Sequence, residues 1–152
     1  MKTKNDILES GVFDFKVFPA FDDVSAQCSG KNQKGLLIVL MREPQPGLLA
    51  FLEKVLMAVQ YDLEEDALTV FLTGDQRFSF SQLAKNNGIQ KALFFGLPPV
   101  RAGLNLNPRL YSPLTLGNQM LLFSDELPAI EQDKNLKKQL WEALQLMFPP
   151  SA

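Results

Sequence analysis

The sequence predicts an α/β domain of three layers, in which a mainly parallel sheet of four strands, or five if the N-terminal segment adds one, carries helices on both faces. Three observations predict it. Gly35 to Met41, GLLIVLM, sets six apolar residues in a row after a Lys-Gly turn, the pattern of a strand buried on both faces inside a parallel sheet. That run passes through Arg42-Glu43-Pro44-Gln45-Pro46-Gly47 directly into an apolar helix, giving the first half of a βαβ crossover. The unit then recurs, in the order β-α-β-α-β-loop-β-α with helix-length spacers, which calls for right-handed crossovers and helices on both faces.

Each element has its own reason. Lys2 to Ser10 reads as a short helix capped by Asn5 or Asp6 and stopped by Gly11. In Val12 to Phe18 the residues Phe13, Phe15 and Val17 alternate with Asp14 and Lys16, as in a half-exposed strand or extended arm that Pro19 ends. Phe21 to Gln33 is polar and reads as a loop containing Cys28, a lone thiol with nothing nearby in sequence to lower its pKa. The helix after the first strand runs from Leu48 to about Val59 and buries Leu48, Leu49, Phe51, Leu52, Val55, Leu56 and Val59. Asp62 to Asp66 concentrates four carboxylates in a helix-to-strand connection. A Ca²⁺ loop would need alternating oxygen ligands around a glycine, so a solvated turn is the expectation.

The second strand is Ala67 to Thr73, rich in β-branched and aromatic residues. Ser79 or Ser81 caps a short helix that stops at Asn87-Gly88, and Lys91 to Gly96 is the third strand. Leu97 to Asn118 is irregular yet carries Val100, Leu104, Leu106, Leu110, Tyr111, Leu114 and Leu116, so it packs on its own domain or on a partner. Gln119 to Phe123 is the fourth strand. Asp133 or Asn135 then caps the last helix, with Leu136, Leu140, Trp141, Leu144, Met147 and Phe148 in one stripe before Pro149-Pro150 stops it. Residues 1–20 form an N-terminal arm and 21–152 a single domain, a size that buries a core without disulfide or metal.

Composition removes several chemistries. Zero His excludes Ser-His-Asp and Cys-His triads and zinc hydrolases. A net charge of −2 argues against a protein that coats nucleic acid, leaving any such contact indirect or weak. The single Cys28 permits no internal disulfide, and the lack of an apolar N-terminal stretch leaves the cytoplasm, without membrane attachment, as the expected location. Neither GxxxxGK[ST] nor GxGxxG follows any strand, so no nucleotide, metal or other cofactor is expected.

Ligands of an open α/β sheet sit beyond the carboxyl ends of the strands. The loops there, 42–47, 73–77, 96–101 and 124–128, hold Glu43, Asp75, Asp125 and Glu126 as candidate acids or bases, and Arg42, Arg77 and Arg101 as candidate anion clamps. Charged residues at strand ends are also ordinary helix caps and solvated turns.

Two stretches resemble a known family. A buried strand leading to EPQPG and a helix, with MLLFSDELP leading to DKNLKKQLWEAL, resembles the uracil-DNA glycosylase-like fold. In those enzymes the first loop carries an acidic residue or Asn that positions water, and the last a His. Glu43, beside Pro44, stands at the first place, whereas the second reads Ser124-Asp125-Glu126, so the resemblance implies a vestigial pocket at Glu43, Pro44, Ser124 and Asp125. The same fold without the active site occurs in the psi subunit of the bacterial DNA polymerase III clamp-loader complex. Asp6, Leu8, Gly11, Val12 and Phe15 in KNDILESGVFDFKVFP are similar to the psi N-terminus, and Leu127, Pro128, Ala129 and Leu140-Trp141 to its C-terminal helix.

Psi proteins join the clamp loader, through the N-terminal segment, to a second small subunit. The resemblance implies a non-enzymatic adaptor of DNA replication with protein partners, binding through Ile7, Leu8, Phe13 and Phe15. The alternative it leaves is a nucleic-acid-processing enzyme of the glycosylase fold that works through Glu43 or Asp125.

Overall fold

A computed structural model describes residues 21–149. The predicted arm, its helix and strand, and Ile7, Leu8, Phe13 and Phe15 lie outside the described residues. A 3₁₀ turn, Ser25–Gln27, leads into β1 (Cys28–Ser29), followed by β2 (Leu36–Leu40), α1 (Pro46–Met57), α2 (Leu63–Asp66), β3 (Ala67–Phe71), α3 (Phe80–Asn87), β4 (Lys91–Phe95), a second 3₁₀ turn (Pro99–Ala102), β5 (Leu114–Leu116), β6 (Gln119–Ser124), α4 (Leu127–Glu131) and α5 (Lys134–Met147).

The α/β class is correct, but the sheet is six-stranded and mixed, not four-stranded and mainly parallel. Its order is β1-β3-β2-β4-β6-β5. Pairings β3 to β2, β2 to β4 and β4 to β6 are parallel, whereas β1 on β3 and β5 on β6 are antiparallel edges. The reason lies in two segments read as loops. Cys28 and Ser29 pair with Val70 and Thr69 despite their polar surroundings. Leu114–Leu116 folds back on Gln119–Leu121 through Gly117-Asn118, with Leu116 opposite Gln119. Gly117 takes φ +61 at the first central position of that two-residue turn, the left-handed conformation a hairpin turn requires there.

β2 is buried at every residue, and alternation divides its side chains between two cores. Leu37 and Val39 join Phe80 and Ala84 of α3 with Leu97, Ala102 and Leu104 from the connection after β4. Leu36, Ile38 and Leu40 face Leu52 and Leu56 of α1, Ile130 of α4, and Leu140 and Leu144 of α5. The sheet is therefore covered on both faces. The apolar 97–118 connection does pack on its own domain through Leu97 and Leu104, though Val100 and Leu110 remain exposed.

Helix boundaries follow local chemistry. α1 starts at Pro46, which needs no intrahelical partner for its missing N–H, and only Leu52 and Leu56 of the seven apolar residues assigned to its buried face are fully buried. Ser79 Oγ accepts from Gln82 N–H at 3.2 Å to start α3, and Asp133 accepts from Asn135 and Leu136 N–H to start α5. Leu127–Glu131, whose first two residues fall in the predicted 124–128 loop, is the short helix α4 with Pro128 in its first turn. Trp141 is not in the core stripe. It is 40% exposed, because the α5 face that buries Leu140, Ala143, Leu144 and Met147 turns the indole outward.

Candidate functional site

The chain leaves β2 through α1 to reach β3 on one side, and leaves β3 through α3 to reach β4 on the other, so β2 and β4 flank the switch point where an open α/β sheet forms its crevice. A cleft of about 260 Å³ lies there. Glu43, Pro44 and Gln45 from the loop after β2, Phe95 from the end of β4, and Glu126 and Leu127 at the start of α4 line it. Glu43 is exposed and has no hydrogen-bond or ion-pair partner among the described residues.

Ser124 and Asp125 do not reach this cleft. They line a neighbouring hollow of about 480 Å³, together with Gly96, Pro98, Asn107 and Leu110. Glu126 borders both spaces, and its Oε2 accepts from Arg42 Nη2 at 3.0 Å. The structure thus divides the four residues predicted to share a pocket into two pairs with Glu126 between them. Gly96, at φ +74, leaves the space Glu126 occupies: a Cβ there would collide with Glu126 Cγ.

Asp125 is held by a residue the sequence did not single out. Tyr111 Oη donates to Asp125 Oδ2 at 2.7 Å, and Tyr111 N–H donates to the Phe123 carbonyl at 2.9 Å. Burial and the hydrogen bond to Asp125 raise the Tyr111 phenol well above its ordinary pKa. Tyr111 takes φ +61, a conformation a bulky residue enters only under tertiary constraint. Nothing in the sequence around it, Leu110-Tyr111-Ser112, signals that pairing. Ser124 Oγ, at a buried position, lies 3.4 Å from the Phe94 carbonyl as its donor.

The three candidate anion clamps differ in what they touch. Arg101 donates from Nε to the Gln76 carbonyl at 3.0 Å and from Nη2 to the Gly74 carbonyl at 2.7 Å, which ties the connection after β4 to the loop after β3. Arg77 is held through its backbone, its N–H donating to Asp22 Oδ2 at 2.9 Å and its carbonyl accepting from Asp22 N–H at 2.7 Å, while its buried Nε has no hydrogen-bond partner among the described residues. Asp75 is exposed. Arg42 is the one of the three in an ion pair among the described residues, and at 74% side-chain exposure its bond to Glu126 contributes less than about 1 kcal/mol.

Among the described residues no group of three or more His, Cys, Asp or Glu is placed to hold a metal ion. The four carboxylates of 62–66 lie in and at the start of a single helical turn. Asp62 accepts from Glu65 N–H at 2.8 Å, while Glu65 and Asp66 pair with Lys31 and Lys34. Cys28 sits on the edge strand β1, where burial first and Asp23 second push its thiol pKa up, away from reactivity. No helix of the described residues is long and apolar enough to cross a membrane. No protein-family model matches the chain, and no curated protein matches it.

Proposed function

We propose that the protein is a non-enzymatic adaptor of the DNA replication machinery, similar to the psi subunit, with a uracil-DNA glycosylase-like fold whose site has lost its chemistry. It works in the cytoplasm and links a clamp loader to another subunit through Ile7, Leu8, Phe13 and Phe15. The observation that carries this reading is the fate of the last strand-end loop. Where the glycosylases place a His, Asp125 is held by Tyr111 and Glu126 by Arg42, so both carboxylates are engaged within the chain, Asp125 on one hollow and Glu126 between the two. A general base must reach the proton it removes. The resemblance at both ends of the sequence supplies the partner class.

Phe15→Ala tests the adaptor directly. It should leave the melting temperature nearly unchanged while weakening clamp-loader binding by at least about 1–2 kcal/mol, the usual loss for an interface aromatic. A large loss of stability with binding intact would instead make the segment an internal strand. One observation favours the enzyme reading: Glu43 lines a cleft at the switch point. Uracil release from single- or double-stranded DNA that is abolished by Glu43→Ala would establish that reading and remove the adaptor.

A further inference from the structure

At the other side of the molecule, the helices over the second core leave a groove that the adaptor reading does not use. Between α1 and α5 an apolar cleft of about 130 Å³ is lined by Phe51, Val55, Lys137, Leu140, Trp141 and Leu144. Trp141 also lines a larger hollow of about 440 Å³, with Lys34, Tyr61, Lys91 and Phe148 around it. Three lysines thus edge one continuous surface. No carboxylate lines either hollow among the described residues, although the protein as a whole is acidic. Asp66 Oδ2 lies 3.6 Å from Lys34 Nζ, which also donates to the Gln60 carbonyl at 3.0 Å.

The lysine heads are placed over rings. Lys34 Nζ is 4.7 Å from the Tyr61 centroid, Lys91 Nζ 4.5 Å from Phe148, and Lys137 Nζ 5.7 Å from Phe51. Stacking of nucleic-acid bases needs bare ring faces, and three of the four rings here are covered by cations. What remains open to a ligand is positive charge and a small apolar hole. An apolar cavity of about 150 Å³ takes a benzene ring, so the α1/α5 cleft, at about 130 Å³, suits one aromatic or branched side chain.

We propose that this groove binds an acidic peptide segment of a partner protein, with one large apolar side chain in the α1/α5 cleft and flanking carboxylates on Lys137 and Lys91. Charge complementarity selects the occupant. Lys137 stands one helical turn before Trp141 on α5, and Lys91 lies over Phe148 beyond the same helix's end, so cations flank the hole along the groove. The site uses none of the residues 1–20 on which the adaptor reading rests, so the two readings fail separately.

Trp141 is the single tryptophan of the chain, so its emission reports on the cleft. The full chain is titrated with an acetylated and amidated peptide of Asp and Glu around one Phe, with the same peptide carrying Ala for Phe, and with an oligothymidylate. The expected result is a saturable change in Trp141 emission with the Phe peptide, and affinity at least about tenfold weaker both for the Ala peptide and for the Lys137→Glu protein. Lys138→Glu, at an exposed position outside both hollows, should stay within about twofold of the parent. No saturable change, equal affinity for the two peptides, or full affinity in Lys137→Glu would overturn the proposal. Tighter binding of the oligonucleotide than of the Phe peptide would overturn it too and assign the groove to nucleic acid.

Discussion

Tyr111 joins local conformation to the strand-end site. Its left-handed backbone aims the ring across β6, where the phenol holds Asp125, and Asp125 follows directly on the last residue of that strand. Burial first and the Asp125 bond second raise the phenol's pKa, so the folded state favours the neutral form. In the unfolded chain the same phenol ionises near about pH 10. The stability this difference supplies is complete below that pH and is lost as pH rises above it, because the unfolded state releases its proton first. Tyr61 is raised as well, by burial and then by Asp66, so ultraviolet titration of the native protein should show neither tyrosine forming phenolate at its ordinary pH. Tyr111→Phe should cost about 0.5–1.5 kcal/mol in urea unfolding at neutral pH, the worth of one hydrogen bond. Its alkaline loss of stability should be shallower than the parent's. A variant with the parent's stability at neutral pH would show that the bond contributes nothing to the fold.

At the level of elements, β2 is the strand on which both cores depend. Val39 has no exposed surface and packs on the α3 side, with Ile38 and Leu40 on the other. Val39→Asp would bury a carboxylate with no partner, a cost of several kcal/mol that rivals the stability of a typical domain. The variant should be unfolded by circular dichroism, whereas Met57→Asp, at a position 68% exposed on α1, should stay within about 0.5 kcal/mol of the parent. A Val39→Asp protein that melts like its parent would remove β2 from the centre of the sheet. This strand was legible because an unbroken apolar run has one economical use in an α/β chain. The hairpin was less so: Gly117-Asn118 is a recognisable turn pair, but Leu114-Thr115-Leu116 lies in a stretch full of Pro, which drew the whole segment toward loop. Trp141 misled for another reason. Apolar periodicity places a residue near a buried stripe and does not say whether the neighbouring helix closes over it; here α1 leaves a gap.

For the whole molecule, the sheet is one wall shared by two cores, and that sharing decides how it unfolds. The four central strands and their crossovers were readable from periodicity. The separation of Ser124 and Asp125 from Glu43 was not, since it depends on where Glu126 and Tyr111 pack, at sequence distances of 84 and 14 residues from their partners, Arg42 and Asp125. Because Leu37 and Val39 belong to one core and Leu36, Ile38 and Leu40 to the other, neither core can open without exposing the strand that builds its neighbour. One cooperative transition follows. The edges do not share this constraint: β1 has two residues and β5 three, each paired on a single side. Native-state hydrogen exchange should therefore show β2 and β4 amides exchanging only through global unfolding, with a free energy equal to that from urea melting, and β1 and β5 amides exchanging far faster through local opening. Equal protection in β5 and β2 would mean that the antiparallel edge is part of the cooperative unit. Two separate melting transitions would mean that the cores on the two faces do not depend on a common strand.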